Sequence, residues 1–261
     1  MKKILALALV LTMILAFAAC GGDNNDQTTG STTTAPTTAP STAPTTTTPV
    51  ATFDPSAKEE GTMTYAEYMA AEIDDPVVIE CFVQGHQSWW SNKITVYAAD
   101  PDGAYFMYEM ACSEEDAALL VPGTKIKVTG YKATFNGEIE VDAGATFEIM
   151  EGTWIAEPTD VTELLGTDDL INHQNKLSIF KGLTVKSLEY KQDEYDKDIY
   201  VTFTKGDAEY SFCVENYLTG PDTDVYQAVA ALSEGDVVDV TAFLYWWNGP
   251  NPHITAVTAA N

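Results

Sequence analysis

The chain has 261 residues, with 39 Asp and Glu against 13 basic residues, all of them lysine, giving a formal net charge of −26. It lacks arginine's planar fork for phosphate and guanine and its charge repels polyanions, so nucleic acid is disfavoured as a partner. Hydrophobic residues make up 45% of the chain, enough to build one large domain or two ordinary ones outside the biased N-terminal stretches.

The first segment, MKKILALALVLTMILAFAAC, puts two lysines before an apolar run and small residues before Cys20. This is the layout of a secretory signal over residues 1–19. The apolar run is shorter than the ~20 residues a membrane-spanning helix needs. Its end, FAAC, resembles the lipobox of bacterial lipoproteins, departing from it at Phe17, where leucine is usual. The resemblance implies that Cys20 is lipidated and that the membrane is a partner through that lipid. Residues 20–57 are rich in Thr, Pro, Ser and Ala and read as a disordered stalk. At ~3.1 Å per residue, ~30 proline-stiffened residues reach on the order of 90 Å. The folded part is therefore expected at the extracytoplasmic face of the membrane.

Residues 62–152 begin with TYAEYMAAEI, where Thr64 and Glu67 have the spacing of a capping box. PVVIECFVQGHQSWW is a β-branched strand interrupted by Gly85, and KITVYAADPDGAYFMYEMA is a hairpin about the turn DPDG. SEEDAALL starts a second helix, and TKIKVTGYKATF, the turn NG and EIEVDAGATFEI add two strands. Residues 158–261 repeat the plan. Gly123, Thr129, Asn136 and Gly137 match Gly235, Thr241, Asn248 and Gly249 at one constant offset, and DAALL corresponds to AVAAL.

Three strands, a helix and two strands is the order of the OB-fold, and a glycine in the long first strand suits the bend that strand makes. The predicted class is therefore mostly β with short helices: two tandem OB-fold-like five-stranded Greek-key barrels after a disordered stalk. GHQSWW, DGAYFMYEMACSEED and GTKIKVTGY resemble the tandem OB-fold surface lipoproteins of Firmicutes, a largely uncharacterised group. That resemblance implies a fold and an address but no chemistry.

Signs of catalysis are few. His86, His173 and His253 lie apart with no HxH or HExxH pairing, and no nucleotide or hydrolase motif is present, so neither an enzyme nor a cofactor is expected. Glu138 and Glu140 alternate on a predicted strand and read as a solvated face. The acidic loop QDEYDKD, residues 192–198, lacks the glycine and terminal glutamate of an EF-hand, so no metal site is expected. Removing Cys20 leaves Cys81, Cys112 and Cys213, an odd number, so at least one thiol is unpaired; a Cys81–Cys112 bridge is the alternative to free buried thiols, which are the commoner outcome beside apolar strand residues.

The aromatic residues carry the functional expectation. OB-folds bind at the loops between strands one and two and between strands four and five. HQSWWSNK falls on the first of these in one domain and YWWNGPNPH on the second in the other. Neighbouring residues of a strand point to opposite faces, so one tryptophan of each pair is expected to pack inward and the other to stack on ligand. Trp89, Trp90, Phe135, Trp246, Trp247 and Asn248 are the candidate binding residues, with polar help from His86, Gln87, Asn92 and Asn251. The expected ligand is a neutral glycan or cell-wall polymer. A surface protein is the alternative partner, in which case the tryptophan pairs are structural.

Overall fold

The Thr64 hydroxyl accepts the Glu67 N–H at 3.2 Å and the Glu67 carboxylate accepts the Thr64 N–H at 2.8 Å. This reciprocal cap starts α1 (Tyr65–Ala70), whose one buried side chain is Tyr68. In the computed structural model, residues 53–191 and 197–260 are described. The signal segment, Cys20 and the stalk up to residue 52 lie outside the described residues, as do Asp193, Glu194 and Asp196 of the acidic loop.

After α1 come β1 (Pro76–His86), β2 (Lys93–Ala99), β3 (Ala104–Ala111), α2 (Glu114–Ala117), β4 (Thr124–Phe135), β5 (Glu138–Val141) and β6 (Thr146–Thr153). The strands run in the order β1-β2-β3-β5-β4, β4 pairs back onto β1, and β6 lies beside β4. The ring closes where β3 meets β5 in parallel, Met107 opposite Val141. The second half holds β7 (Thr159–Asp160), short 3-10 turns at Thr162–Leu164 and Asp168–His173, β8 (Leu177–Tyr190), β9 (Ile199–Lys205), β10 (Ala208–Val214), α3 (Asp224–Ala230), β11 (Val237–Phe243) and β12 (His253–Ala259). It closes in the same way: β11 pairs with β8, and β10 meets β12 in parallel with Cys213 opposite His253. Both halves thus have the strand order and helix position of an OB-fold-like Greek-key barrel, the expected class.

The constant offset in sequence is also a repeat in backbone geometry. Gly123 and Gly235 have φ of 94° and 92°, and Asn136 and Asn248 have φ of 51° and 53°. Gly123 donates to the Val83 carbonyl at 2.7 Å and Gly235 to that of Val185 at 2.9 Å, so each pins the start of its barrel's fourth strand to the first.

Each barrel has its own apolar core. Ile79, Cys81, Val96, Met107, Ile126 and Val128 fill the first, and Phe180, Val201, Phe203, Phe212, Val240 and Ile254 fill the second. The first barrel also buries charge. Lys125 pairs with Glu80 at 2.7 Å, and Lys58, from the segment preceding α1, pairs with Asp100. Asp100 also accepts the Tyr105 hydroxyl at 2.7 Å and the Gly103 N–H at 2.8 Å, fixing the DPDG turn. Cys81, Cys112 and Cys213 are free and buried.

A third, smaller cluster joins the barrels. Tyr97 of β2 stacks on Phe243 of β11 with centroids 4.3 Å apart and planes 4° from parallel. The Tyr97 hydroxyl lies 2.8 Å from Nδ1 of buried His253. Phe243 needs room, and Gly85 provides it, since a Cβ there would stand 3.0 Å from the ring. β1 also bulges between Val83 and Gly85. The expected bend at Gly85 is present, and it serves the contact between barrels as well as the closure of one. The equivalent turns of the two barrels also touch, Asn248 donating to the Asn136 carbonyl at 2.7 Å.

Lys125→Ala should destabilise the protein by about 3–5 kcal/mol in urea unfolding, because it leaves the Glu80 carboxylate buried without its cation. Replacing both partners, Glu80→Leu with Lys125→Met, should recover most of that loss.

Candidate functional site

Trp90 and Lys93 exchange backbone hydrogen bonds of 3.1 and 2.9 Å around Ser91 and Asn92, which have φ of 49° and 61°. Two successive positive φ values make a type I′ hairpin turn, the kind that follows strand twist. The turn divides the first tryptophan pair. Trp89 folds onto the core of the first barrel and its Nε1 donates to the Cys112 carbonyl at 2.9 Å, whereas Trp90 is 56% exposed. The second pair divides in the same way. Trp246 packs against the core of the second barrel and over Gly137, and its backbone N–H donates to Glu138 at 2.8 Å. Trp247 is 49% exposed and meets the Phe135 ring edge-on at 5.1 Å.

Trp90 and Trp247 line the two halves of one groove along the seam. It consists of two adjoining cavities of about 510 Å³ each, sharing Gln87 and Tyr108. Trp90, Tyr108, Glu109 and Tyr217 line one half. Phe106, Tyr200 and Tyr245 lead through the other half to Trp247 and Asn251. At the middle, Gln87 Nε2 donates across the barrels to Glu215 at 3.2 Å. Of the candidate binding residues, Trp90 and Trp247 therefore line the groove. Phe135 supports Trp247 from outside it, exposed Asn248 uses its backbone on the turn contact, and Trp89 and Trp246 are supports beneath.

Sequence reading missed the tyrosines of the groove wall, and Tyr108 with Glu109 explains why. In a regular strand these neighbours face opposite ways. β3 bulges instead: Met107 pairs with Val96 and Met110 with Ile94, both methionines enter the core, and Glu109 takes φ 43°. The extra residue turns Tyr108 and Glu109 to the same cavity. The only trace in sequence is a glutamate inside the otherwise apolar run AYFMYEMA.

The seam is unusual in its electrostatics. Glu138 and Glu140 do not form a solvated face, since both are buried. Alternation shows that they share a face but cannot show that the second barrel covers it. Burial pushes the Glu138 carboxyl up to about 8, with Asn175 and the Trp246 N–H pulling the other way. Burial and then Asp142 push Glu140 up to about 7, and burial does the same to Glu215 against two backbone N–H donors. Burial holds His253 down to about 3. Among the described residues no ion pair reaches any of the three carboxyls, and no group of three or more His, Cys, Asp or Glu is arranged to hold a metal.

No protein-family model matches the chain, and no curated protein matches it. Solved structures do. A murine DNA-binding protein bound with double-stranded DNA is 12% identical with a TM-score of 0.35, covering 72% of this chain and 97% of that one. The Ifi202 HINa domain in complex with 20-base-pair DNA is 11% identical, TM-score 0.32, covering 69% of this chain and 92% of its own. A replication protein A heterotrimer bound to single-stranded DNA is 11% identical, TM-score 0.31, covering 72% of this chain and 49% of its own. At such identities the likeness concerns the fold alone, and it brings no lipoprotein family with it. It does correct one expectation: against nucleic acid being disfavoured as a partner, the similar structures themselves hold double- or single-stranded DNA.

The three carboxyls are raised above their ordinary value of 4.5. Their protonated forms favour folding, so that stability is fully present below about pH 4.5 and falls as pH rises through 7 and 8. Melting temperature should therefore drop between pH 5.5 and 8.5. Glu138→Gln, which keeps an acceptor for the Trp246 N–H, should make that drop smaller.

Proposed function

We propose that this chain is a non-catalytic binding module that holds a ring-bearing polymer in its aromatic groove, tethered through lipid on Cys20 at the extracytoplasmic face of a membrane. The observation that carries the reading is the exposure of Trp90 and Trp247 in the two halves of one groove whose walls include four tyrosines and a phenylalanine. Large flat faces held by a rigid seam stack on ligand rings with little loss of side-chain freedom.

Binding fits the site better than catalysis. Glu215 is the raised carboxyl that lines the groove, and its oxygens already accept the Gln87 side chain and the Tyr217 and Leu218 N–H groups. Glu138 is fully buried. Neither carboxyl is free to move a proton at a ligand. The tether is supported by the signal-like segment, the cysteine after it and the Thr/Pro-rich stretch.

The ligand class we favour is a neutral glycan. Polar groups of the groove, among them Gln87, Glu109 and Asn251, can accept hydrogen bonds from ring hydroxyls while the aromatic faces stack on the sugar rings. A single-stranded nucleic acid is the second reading, favoured by the same exposed ring faces, because bases stack on tryptophan and tyrosine as well.

Calorimetric titration with neutral oligosaccharides and with a single-stranded oligonucleotide, each at two salt concentrations, separates these readings. Saturable oligosaccharide binding with little salt dependence, weakened at least tenfold by Trp247→Ala, is the expected result. Saturation by the oligonucleotide alone, falling steeply with salt, would establish the second reading, and silence in both titrations would overturn the proposal. For the tether, Cys20→Ser should move the protein from the membrane fraction to the soluble fraction. A protein that stays with the membrane would refute lipidation at Cys20.

A further inference from the structure

The half of the groove at Trp90 has a chemistry of its own. Its cavity, about 510 Å³, is walled by the rings of Trp90, Tyr108 and Tyr217, which are 56%, 42% and 49% exposed. Glu109 supplies a carboxylate to the same cavity. The carboxylate is there because β3 bulges: Glu109 is the extra residue, held at φ 43°, a conformation a non-glycine residue rarely adopts. Its backbone N–H donates to the Thr95 hydroxyl at 3.1 Å and its carbonyl accepts the Gly144 N–H at 3.1 Å, so the strained position is fixed on both sides.

A small cluster of aromatic faces with one carboxylate is the arrangement that attracts a soft organic cation. The chain already demonstrates this affinity within itself. The Lys93 ammonium stands 5.1 Å from the centre of the Trp90 ring while pairing with Glu109 at 2.7 Å. Lys93 does not line the cavity, so it holds Trp90 and Glu109 in place from outside it. The net charge of −26 adds a field that concentrates small cations at the surface.

We infer that this half of the groove is a cage for a trimethylammonium group, the cation stacked among Trp90, Tyr108 and Tyr217 beside the Lys93–Glu109 pair, in which Glu109 screens the Lys93 ammonium from it. A quaternary ammonium suits the cavity better than a primary amine. It gives up little hydration on leaving water and presents methyl groups to the rings, where a primary ammonium requires hydrogen-bond acceptors that the ring faces lack. The site goes beyond the binding of ring-bearing polymers proposed above and does not depend on it, since that reading is tested at Trp247.

The test is a calorimetric titration of the full chain with choline and, in parallel, with 3,3-dimethyl-1-butanol, which has choline's shape without its charge. Choline should bind saturably and at least tenfold more tightly than the alcohol. Trp90→Ala should reduce choline affinity at least tenfold, Trp90→Phe should lose less, and Glu109→Gln should lose severalfold. Circular dichroism of each variant keeps the comparison among folded proteins. Equal affinity for choline and the alcohol would overturn the inference by reducing the site to an apolar pocket, as would no saturation by choline or Trp90→Ala binding choline like the parent. If choline fails while oligosaccharide binds, only this inference falls; if oligosaccharide fails while choline binds, only the polymer reading falls. Phosphatidylcholine vesicles in a sedimentation assay separate the sources of the cation. Trp90-dependent sedimentation assigns it to a lipid headgroup, and binding of free choline without sedimentation assigns it to a solute.

Discussion

The stack of Tyr97 on Phe243 is the contact on which the rest of the molecule depends. Each ring comes from a strand of a different barrel, and the separation of 4.3 Å with nearly parallel planes leaves no room for water between them. Gly85 yields the space for Phe243, and the hydroxyl of Tyr97 reaches His253 on β12. Once these rings are seated, the barrels have one relative orientation. The walls of the groove, contributed by both barrels, then have one spacing. An aromatic groove built from two bodies free to rock would lose much of its affinity to the ordering of its own walls.

A dry seam also explains the carboxyls. Glu138 sits where β5 meets the second barrel, satisfied on one oxygen by the Trp246 N–H and unpaired with any cation among the described residues. In water such a group ionises freely, but under a second barrel its charged form is disfavoured. The same burial that gives the seam its rigidity thus makes the rigidity depend on pH, and it does so at a residue that also holds the backbone of the Trp246–Trp247 pair. Stability of the seam and placement of Trp247 are coupled through one carboxyl.

Much of this fold was legible in the sequence because its determinants are local. Thr64 and Glu67 announce a helix start wherever they occur at that spacing, and Asn136–Gly137 announces a tight turn because both residues tolerate positive φ. The repeat was legible because Gly123 and Gly235 perform the same task in each barrel. The expected division of each tryptophan pair into an inner and an outer member is present, but it arises beyond the ends of β1 and β11, at a turn in the first pair, and not from strand alternation. The burial of Glu138 and Glu140 was hidden because it depends on a partner more than thirty residues away along the chain, Gln174 and Asn175 bonding to the backbone at Gly137 and Ile139. The groove wall was hidden because a β-bulge, which periodicity cannot register, turned Tyr108 and Glu109 to one side. Local chemistry fixed the barrels, while long-range contacts made the groove.

The central claim is that the seam makes the two barrels one cooperative body. Differential scanning calorimetry tests it most directly. One transition is predicted, with calorimetric and van't Hoff enthalpies equal, and Phe243→Ala should lower its midpoint or split it in two. Two resolved transitions in the parent protein, with midpoints that Phe243→Ala leaves unmoved, would contradict the account, because the barrels would then unfold independently and the groove between them would have no fixed shape.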